Sequence, residues 1–256
     1  MQIDLTLDNI TNTDNVELYI VMPLYNEGEN ITNVLDEWIK EFENKKINYQ
    51  FILVNDGSKD DTLDKISKYE SENPKHFVII NKINSGHGRS IRVGYDFAVL
   101  NSPESWVLQI DSDGQCSPEY FGEFWKNRND YDYLIGYRKS RKDGIARLFT
   151  SKVCMICSSL IINIKLPDPN VPYRLIKAKY LKDAIKHIPQ SFDIHNVALS
   201  TILASFKNLK YRTVNIVFYD RAGGENSINF INVFQLGVSM LFDLIKLKKS
   251  FKKNSA

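Results

Sequence analysis

Two carboxylates, Asp111 and Asp113, stand one residue apart where the apolar run Trp106–Ile110 ends. On a strand, alternate side chains share one face, so both can present oxygens to a single divalent cation while Ser112 points elsewhere. Gln115 adds a third oxygen to this set. Mg2+ or Mn2+ held there would bridge phosphates and neutralise charge on a departing diphosphate. A turn after a strand also favours Asp and Gly, but polar residues close three earlier apolar runs as well, at Met22-Pro23-Leu24-Tyr25-Asn26-Glu27, Val54-Asn55-Asp56-Gly57-Ser58 and Asn84-Ser85-Gly86-His87-Gly88. Four polar strand ends together favour the metal reading.

The elements that must position these residues follow from periodicity. Strands are expected at Glu17–Met22, Tyr49–Asn55, Phe77–Asn81, Trp106–Ile110, Tyr133–Tyr137 and Lys210–Tyr219. Helical spacing predicts a helix over Asn30–Phe42, with Ile31, Val34, Leu35, Trp38, Ile39 and Phe42 on one face. Further helices are expected near Thr62–Tyr69, from the glycine-punctuated stretch Asn84–Gly94 to Val99, from Pro118, at Lys179–His187 and at Asp193–Phe206. Short polar side chains of Lys59-Asp60-Asp61 suit the second helix start. Leu166–Pro172 reads as a turn and Gly94 as a site of close helix packing. The alternation of strand and helix is that of an α/β sheet built from βαβ units, and ligands favour the carboxyl ends of such strands.

The chain of 256 residues fits one such domain, and a net charge of +2 with 43% hydrophobic residues sets it apart from nucleic-acid binders and disordered chains. The polar stretch before Glu17 has no basic-then-apolar signal pattern. Cys154 and Cys157 sit in an apolar run without a second pair or a nearby histidine, so core packing is expected rather than zinc.

In these motifs the sequence resembles glycosyltransferase family 2, within it the branch containing dolichyl-phosphate mannose synthase and bacterial polyprenyl-phosphate hexosyltransferases. Asp168-Pro169-Asn170-Val171-Pro172-Tyr173-Arg174 and Arg221-Ala222-Gly223-Gly224-Glu225 extend the match, which spans about Leu18 to Ile228. The resemblance implies the GT-A fold, a Rossmann-like, mostly parallel sheet flanked by helices, and an inverting, metal-dependent transfer of a hexose from a nucleotide-diphosphate sugar. It places Pro23, Tyr25, Glu27 and Asp56 on the base and ribose. Asn84, Gly86, Gly88, Arg89 and Ser112 join them on the donor, where glycines admit the diphosphate and Arg89 answers its charge. His87 is either a ligand to sugar or phosphate or a helix cap.

On the acceptor side the resemblance puts Arg138, Arg141, Arg147 and Lys152 in a loop that grips a lipid phosphate, and Arg174 and Arg221 near phosphate, with Asp168 beside Arg174 to position the acceptor or take its proton. A solvated basic loop is the competing reading of the first four. Many family members carry adjacent acids in the region that here reads Ser191-Phe192-Asp193-Ile194-His195-Asn196; Asp193 or His195 are the candidate substitutes. Their absence favours polyprenyl phosphate, which needs no base, over a saccharide hydroxyl, which does. A non-catalytic nucleotide-binding scaffold is the rival of another class.

From Asn229 the spacing of Ile231, Phe234, Val238, Leu241 and Ile245 predicts an amphipathic helix, interrupted too often by polar residues to span a bilayer. Lys246, Lys248, Lys249, Lys252 and Lys253 suit anionic lipid at roughly 1 kcal/mol each; the alternative is a helix packed against the domain or against a partner subunit, a second copy included, with a solvated basic tail. The expected organisation is a polar tail (1–16), a catalytic domain (17–228) and a basic amphipathic helix (229–256), peripheral on the cytoplasmic face of a membrane.

Overall fold

The computed structural model describes residues 16–101, 104–140, 168–190, 192 and 195–219. Arg141, Arg147, Lys152, Cys154, Cys157, Asp193, Arg221 and the helix expected from 229 lie outside them. Seven strands form one sheet: β1 (Leu18–Leu24), β2 (Tyr49–Asn55), β3 (Phe77–Asn81), β4 (Trp106–Gln109), β5 (Tyr133–Ser140), β6 (Arg174–Lys177) and β7 (Tyr211–Val217). Their order is β3-β2-β1-β4-β6-β5-β7. β1 to β4 run parallel, β6 is antiparallel to both β4 and β5, and β7 is parallel to β5.

All seven residues of β1 and all seven of β2 are buried, which is why both read as continuous apolar runs. Helices α1 (Ile31–Asn44), α2 (Thr62–Glu72) and α3 (His87–Asn101) are the crossovers between the parallel strands. α1 buries Ile31, Val34, Leu35, Trp38 and Phe42, the face that helical spacing predicts. Trp38 then meets Phe121 and Tyr173 edge-on, at 5.9 and 5.8 Å between centroids. This joins α1 to α4 (Phe121–Asn127). Gly94 lets α3 lie close to the sheet: a Cβ there would stand 2.5 Å from Val21 Cγ1 and 3.3 Å from Val54 Cγ2.

The remaining helices are α5 (Ala178–Ile185) and α6 (His195–Ser205). α6 is buried from His195 to Leu203, so little of its surface meets water. β6 is the element that periodicity misses. It has four residues, begins on an arginine and follows Pro172, yet it fills the gap between β4 and β5. β1 also runs two residues further than expected, with Pro23 and Leu24 in register with Val54 and Asn55.

After β3 the chain crosses back over β1 to lay down β4 on its other side. The carboxyl ends of β1 and β4 therefore flank the switch point of the sheet, where open α/β folds bind ligands.

Candidate active site at the switch point

The first two loops of this edge are laced together by their own turn-forming residues. Asn26 N–H donates to Ser58 Oγ at 3.0 Å, and Lys59 N–H returns a bond to Asn26 Oδ1 at 2.8 Å. Glu27 N–H donates to Thr62 Oγ1 at 2.9 Å and Gly28 N–H to Asp60 Oδ2 at 2.9 Å. Asp60 also accepts from Thr62 N–H and Oγ1. Partial burial works to raise the Asp60 pKa, but these bonds outweigh it and leave it below the usual carboxylate value. Asp60, rather than Asp61, thus serves the start of α2. Tyr25 stays 43% exposed beyond the end of β1, leaving ring surface open for stacking, while Pro23 is buried in the strand.

Asp56, at the end of β2, is buried and anchors the third loop. It accepts from Lys82 Nζ, from Ser85 N–H at 2.8 Å and from Gly86 N–H at 2.9 Å. Lys82 Nζ also donates to Ser85 Oγ at 2.7 Å. Gly57 and Gly86 take left-handed φ values of +70° and +102°, which glycine adopts without steric cost. A Cβ on Gly57 would also meet Asn84 N at 2.9 Å. The carboxylate that resemblance assigns to base or ribose therefore shapes the loop that resemblance assigns to the diphosphate. Asn84 is exposed on that loop, Gly88 is buried in the first turn of α3, and Arg89 is half-buried beside it.

At the end of β4, Ser112 Oγ donates to Pro23 O at 3.0 Å, stitching the two sides of the switch point together. Asp113 is buried and accepts from Gln115 N–H at 3.1 Å. The Asp111 side chain is 26% exposed, with His87 Nε2 3.5 Å from its Oδ1. His87, the first residue of α3, thus faces this corner rather than only ending a helix. Gln115 Nε2 donates to Tyr219 O at 2.9 Å, tying the turn to the chain beyond β7. Beneath lies Cys116, whose thiol is pushed well up by burial and then by the Asp111 and Asp113 charges, with Arg138 opposing. Both aspartates and Arg138 therefore act on one small region.

Among the described residues no three His, Cys, Asp or Glu side chains converge as a complete metal cage. Mg2+ and Mn2+ do not need one, since one or two carboxylates plus substrate phosphates and water complete their shell. Two carboxylates on a strand end, one partly open to solvent, fit such a cation. Their oxygens are hard donors.

The acceptor side departs more from expectation. Arg138 donates to Asp168 in a two-point pair, Nε to Oδ2 at 2.6 Å and Nη2 to Oδ1 at 2.8 Å. Its guanidinium carbon sits 5.0 Å from the Phe218 ring centroid. Arg174, expected near a phosphate, is fully buried. It donates to the carbonyls of Pro169, Val171 and Asn196 and to Ser200 Oγ, so it fastens a turn and a helix to the sheet. His195 is equally buried, 1% exposed. Its pKa falls to about 3 through burial and the charges of Arg92, Arg174 and His87, so it is a neutral core residue beside Tyr95 and not an accessible base.

Sequence reasoning passed over Lys82, the cation that joins Asp56 to the third loop, and Gln109, whose Oε1 takes the buried Tyr95 hydroxyl at 2.5 Å. Lys82 had one signal, its place directly after a strand. No helix among the described residues is long and apolar enough to cross a membrane.

The chain is similar to several known proteins. An uncharacterized glycosyltransferase of Synechocystis, sll0501, is 34% identical over 178 residues, covering 68% of this chain and 54% of that protein. A dodecaprenyl-phosphate galacturonate synthase of Rhizobium johnstonii is 27% identical over 172 residues, 65% of this chain and 49% of that protein. The chain thus spans about half the length of these relatives. In fold it resembles glucosyl-3-phosphoglycerate synthase of Mycobacterium tuberculosis, crystallised with Mn2+, UDP-glucose and glycerol 3-phosphate. The TM-score is 0.62 at 12% identity, over 91% of this chain and 80% of that one. The sequence model described as glycosyl transferase family 2 matches residues 19–186, and with the motifs of that match gathered at one sheet edge, the chain belongs to this family.

Proposed function

We propose that the chain is an inverting transferase that moves a hexose from a nucleotide-diphosphate sugar to a membrane polyprenyl phosphate. One observation carries the reading: Tyr25, the Asp56-anchored glycine loop and the Asp111–Asp113 strand end meet at the switch point, tied by the Ser112–Pro23 bond. The nucleotide lies along the loops after β1 and β2, with its diphosphate between Gly86 and Asp113. Asp111 and Asp113 would hold Mg2+ or Mn2+, which would supply positive charge to the leaving diphosphate. The exposed Tyr25 ring carries the base, and the fixed Ser85 and Gly86 backbone keeps the phosphate loop in place without reorganisation.

The acceptor follows from what the site lacks and from kinship. Asp168 is committed to Arg138 and His195 is buried and neutral, so neither serves a sugar hydroxyl as base. A lipid phosphate attacks through an oxygen that is already anionic, and the Rhizobium relative is named for a prenyl-phosphate product. Lipid would be met through the basic apolar segment after 229; deleting it should move the protein out of the membrane fraction, and unchanged recovery there counts against that role.

A panel of uridine- and guanosine-diphosphate sugars with Mg2+ or Mn2+, scored for release of nucleotide diphosphate and for transfer to undecaprenyl phosphate or to a saccharide, tests the whole reading. Asp113→Ala should lower kcat by about a thousandfold, the scale of losing a principal electrostatic contact to the transition state. Release at the wild-type rate by this variant, or transfer to saccharide alone, sinks the corresponding half of the proposal.

A further inference from the structure

We infer that Asp168 is a positioning residue that aims Arg138 at the acceptor phosphate, and is not the group that takes a proton from the acceptor. The inference rests on the polyprenyl-phosphate reading and gives Asp168 its place in it. Both carboxylate oxygens are engaged by one guanidinium, and the two side chains are only 5% and 12% exposed. A planar fork locked at two points has a fixed plane and direction, which a single bond would not give.

The fork uses the Nε proton and one Nη2 proton. Of the five N–H donors of an arginine, the Nη1 pair and the second on Nη2 remain for another anion. These are the donors a phosphate oxygen would take.

Three features hold the pair in place. The β5–β7 register shifts between Arg138 and Ser140, and bulges re-aim side chains beside active sites. Phe218 lies under the guanidinium, and the neighbouring Tyr219 carbonyl is bound by Gln115 of the aspartate turn, so the Arg138 corner and the proposed metal corner are stitched together. From below, Arg174 clasps the Pro169 and Val171 carbonyls of the turn that begins at Asp168, and Val171 N–H closes it on the Asp168 carbonyl at 3.4 Å. Arg174 thus positions Asp168, which positions Arg138. The acceptor therefore meets a guanidinium whose orientation is set before it arrives.

Initial rates of the full chain, with undecaprenyl phosphate varied at saturating sugar nucleotide, test this. In Asp168→Asn the acceptor KM should rise by about tenfold to a hundredfold, the scale of a small misplacement of a binding group. The donor KM and the pH dependence of kcat should stay those of the wild type. Arg138→Ala combined with Asp168→Asn should be no worse than Arg138→Ala alone. Collapse of kcat in Asp168→Asn at unchanged acceptor KM, with one limb of the pH profile lost, overturns the inference, as does a double variant weaker than Arg138→Ala. Should Asp168→Asn fail to fold, Arg138→Lys keeps the charge without the fork: a raised acceptor KM then supports the inference and a wild-type value overturns it. A wild-type chain that releases nucleotide diphosphate yet never glycosylates the lipid phosphate refutes the acceptor reading itself, a result distinct from both.

Discussion

The two sides of the sheet edge are built differently. Around β1 to β3, short turn-forming side chains bond the backbone of the adjacent loop: Asn26 with Ser58 and Lys59, Asp60 with Gly28, Asp56 with Ser85 and Gly86. Around β5 to β7 the work falls to long charged side chains, Arg138 on Asp168 and the buried Arg174 on Pro169, Val171, Asn196 and Ser200. A site made the first way is spread over many modest bonds. Made the second way, it depends on a few charges whose loss leaves a buried partner exposed to its own desolvation cost.

Asp56 is the exception on the donor side, and removing it is the sharpest way to break the contrast. Asp56→Ala strands Lys82, whose side chain is 6% exposed, and frees two amides. Stability should fall by about 3–5 kcal/mol, as when one member of a buried ion pair is deleted. Asp56→Asn, which keeps hydrogen-bonding atoms, should cost less. Urea unfolding followed by circular dichroism measures both; an Asp56→Ala midpoint equal to that of the wild type would mean the third loop is held by something else.

The opposite side offers a pH test through His195. Its folded pKa, about 3, lies below the ordinary histidine value. Between those two values the unfolded chain binds a proton that the folded chain refuses, so the stability present above the unfolded pKa is lost as pH falls towards the folded one. From pH 7 to pH 5 this one group should remove about 2 kcal/mol. His195→Leu should flatten that part of the profile, measured by urea unfolding at each pH. Equal pH slopes for the two proteins would put an accessible, solvated histidine at this position, and with it a candidate base.

How far the sequence foretold this molecule tracks the same division. β2 and β3 were legible to the residue: β2, buried throughout, and β3, buried over most of its length, read as nearly unbroken apolar runs, and polar residues begin where the sheet stops. Donor-side motifs are contiguous and each follows a strand that is itself legible, although the bonds that lace them together join residues 29 to 35 apart. Arg174 is buried where the resemblance puts it near phosphate, and an arginine in a motif looks alike whether it faces solvent or core. The available signal was its setting between Tyr173 and Leu175; the structure puts it in register with Gln109 and Ile135, in the middle of the sheet. The Arg138–Asp168 pair joins residues 30 apart, which no local pattern encodes. β6 was missed because four residues after a proline give too little alternation to count.

Ser112 gives the smallest effect and the finest discrimination. The family resemblance sets its hydroxyl on the donor, yet in the structure that hydroxyl is buried and donates to Pro23 O at 3.0 Å. A lone neutral hydrogen bond contributes about 1 kcal/mol net. Ser112→Ala should therefore lower Tm by about 2–4 °C for a domain of this size and leave the KM for sugar nucleotide unchanged. A donor KM raised about tenfold at wild-type Tm, the value of one lost bond to the ligand, would put the hydroxyl on the substrate. In that case the β1–β4 ladder, Leu18–Val21 against Trp106–Gln109, and the Ile110 N–H bond to Val21 O hold the two strands together without the Ser112 hydroxyl.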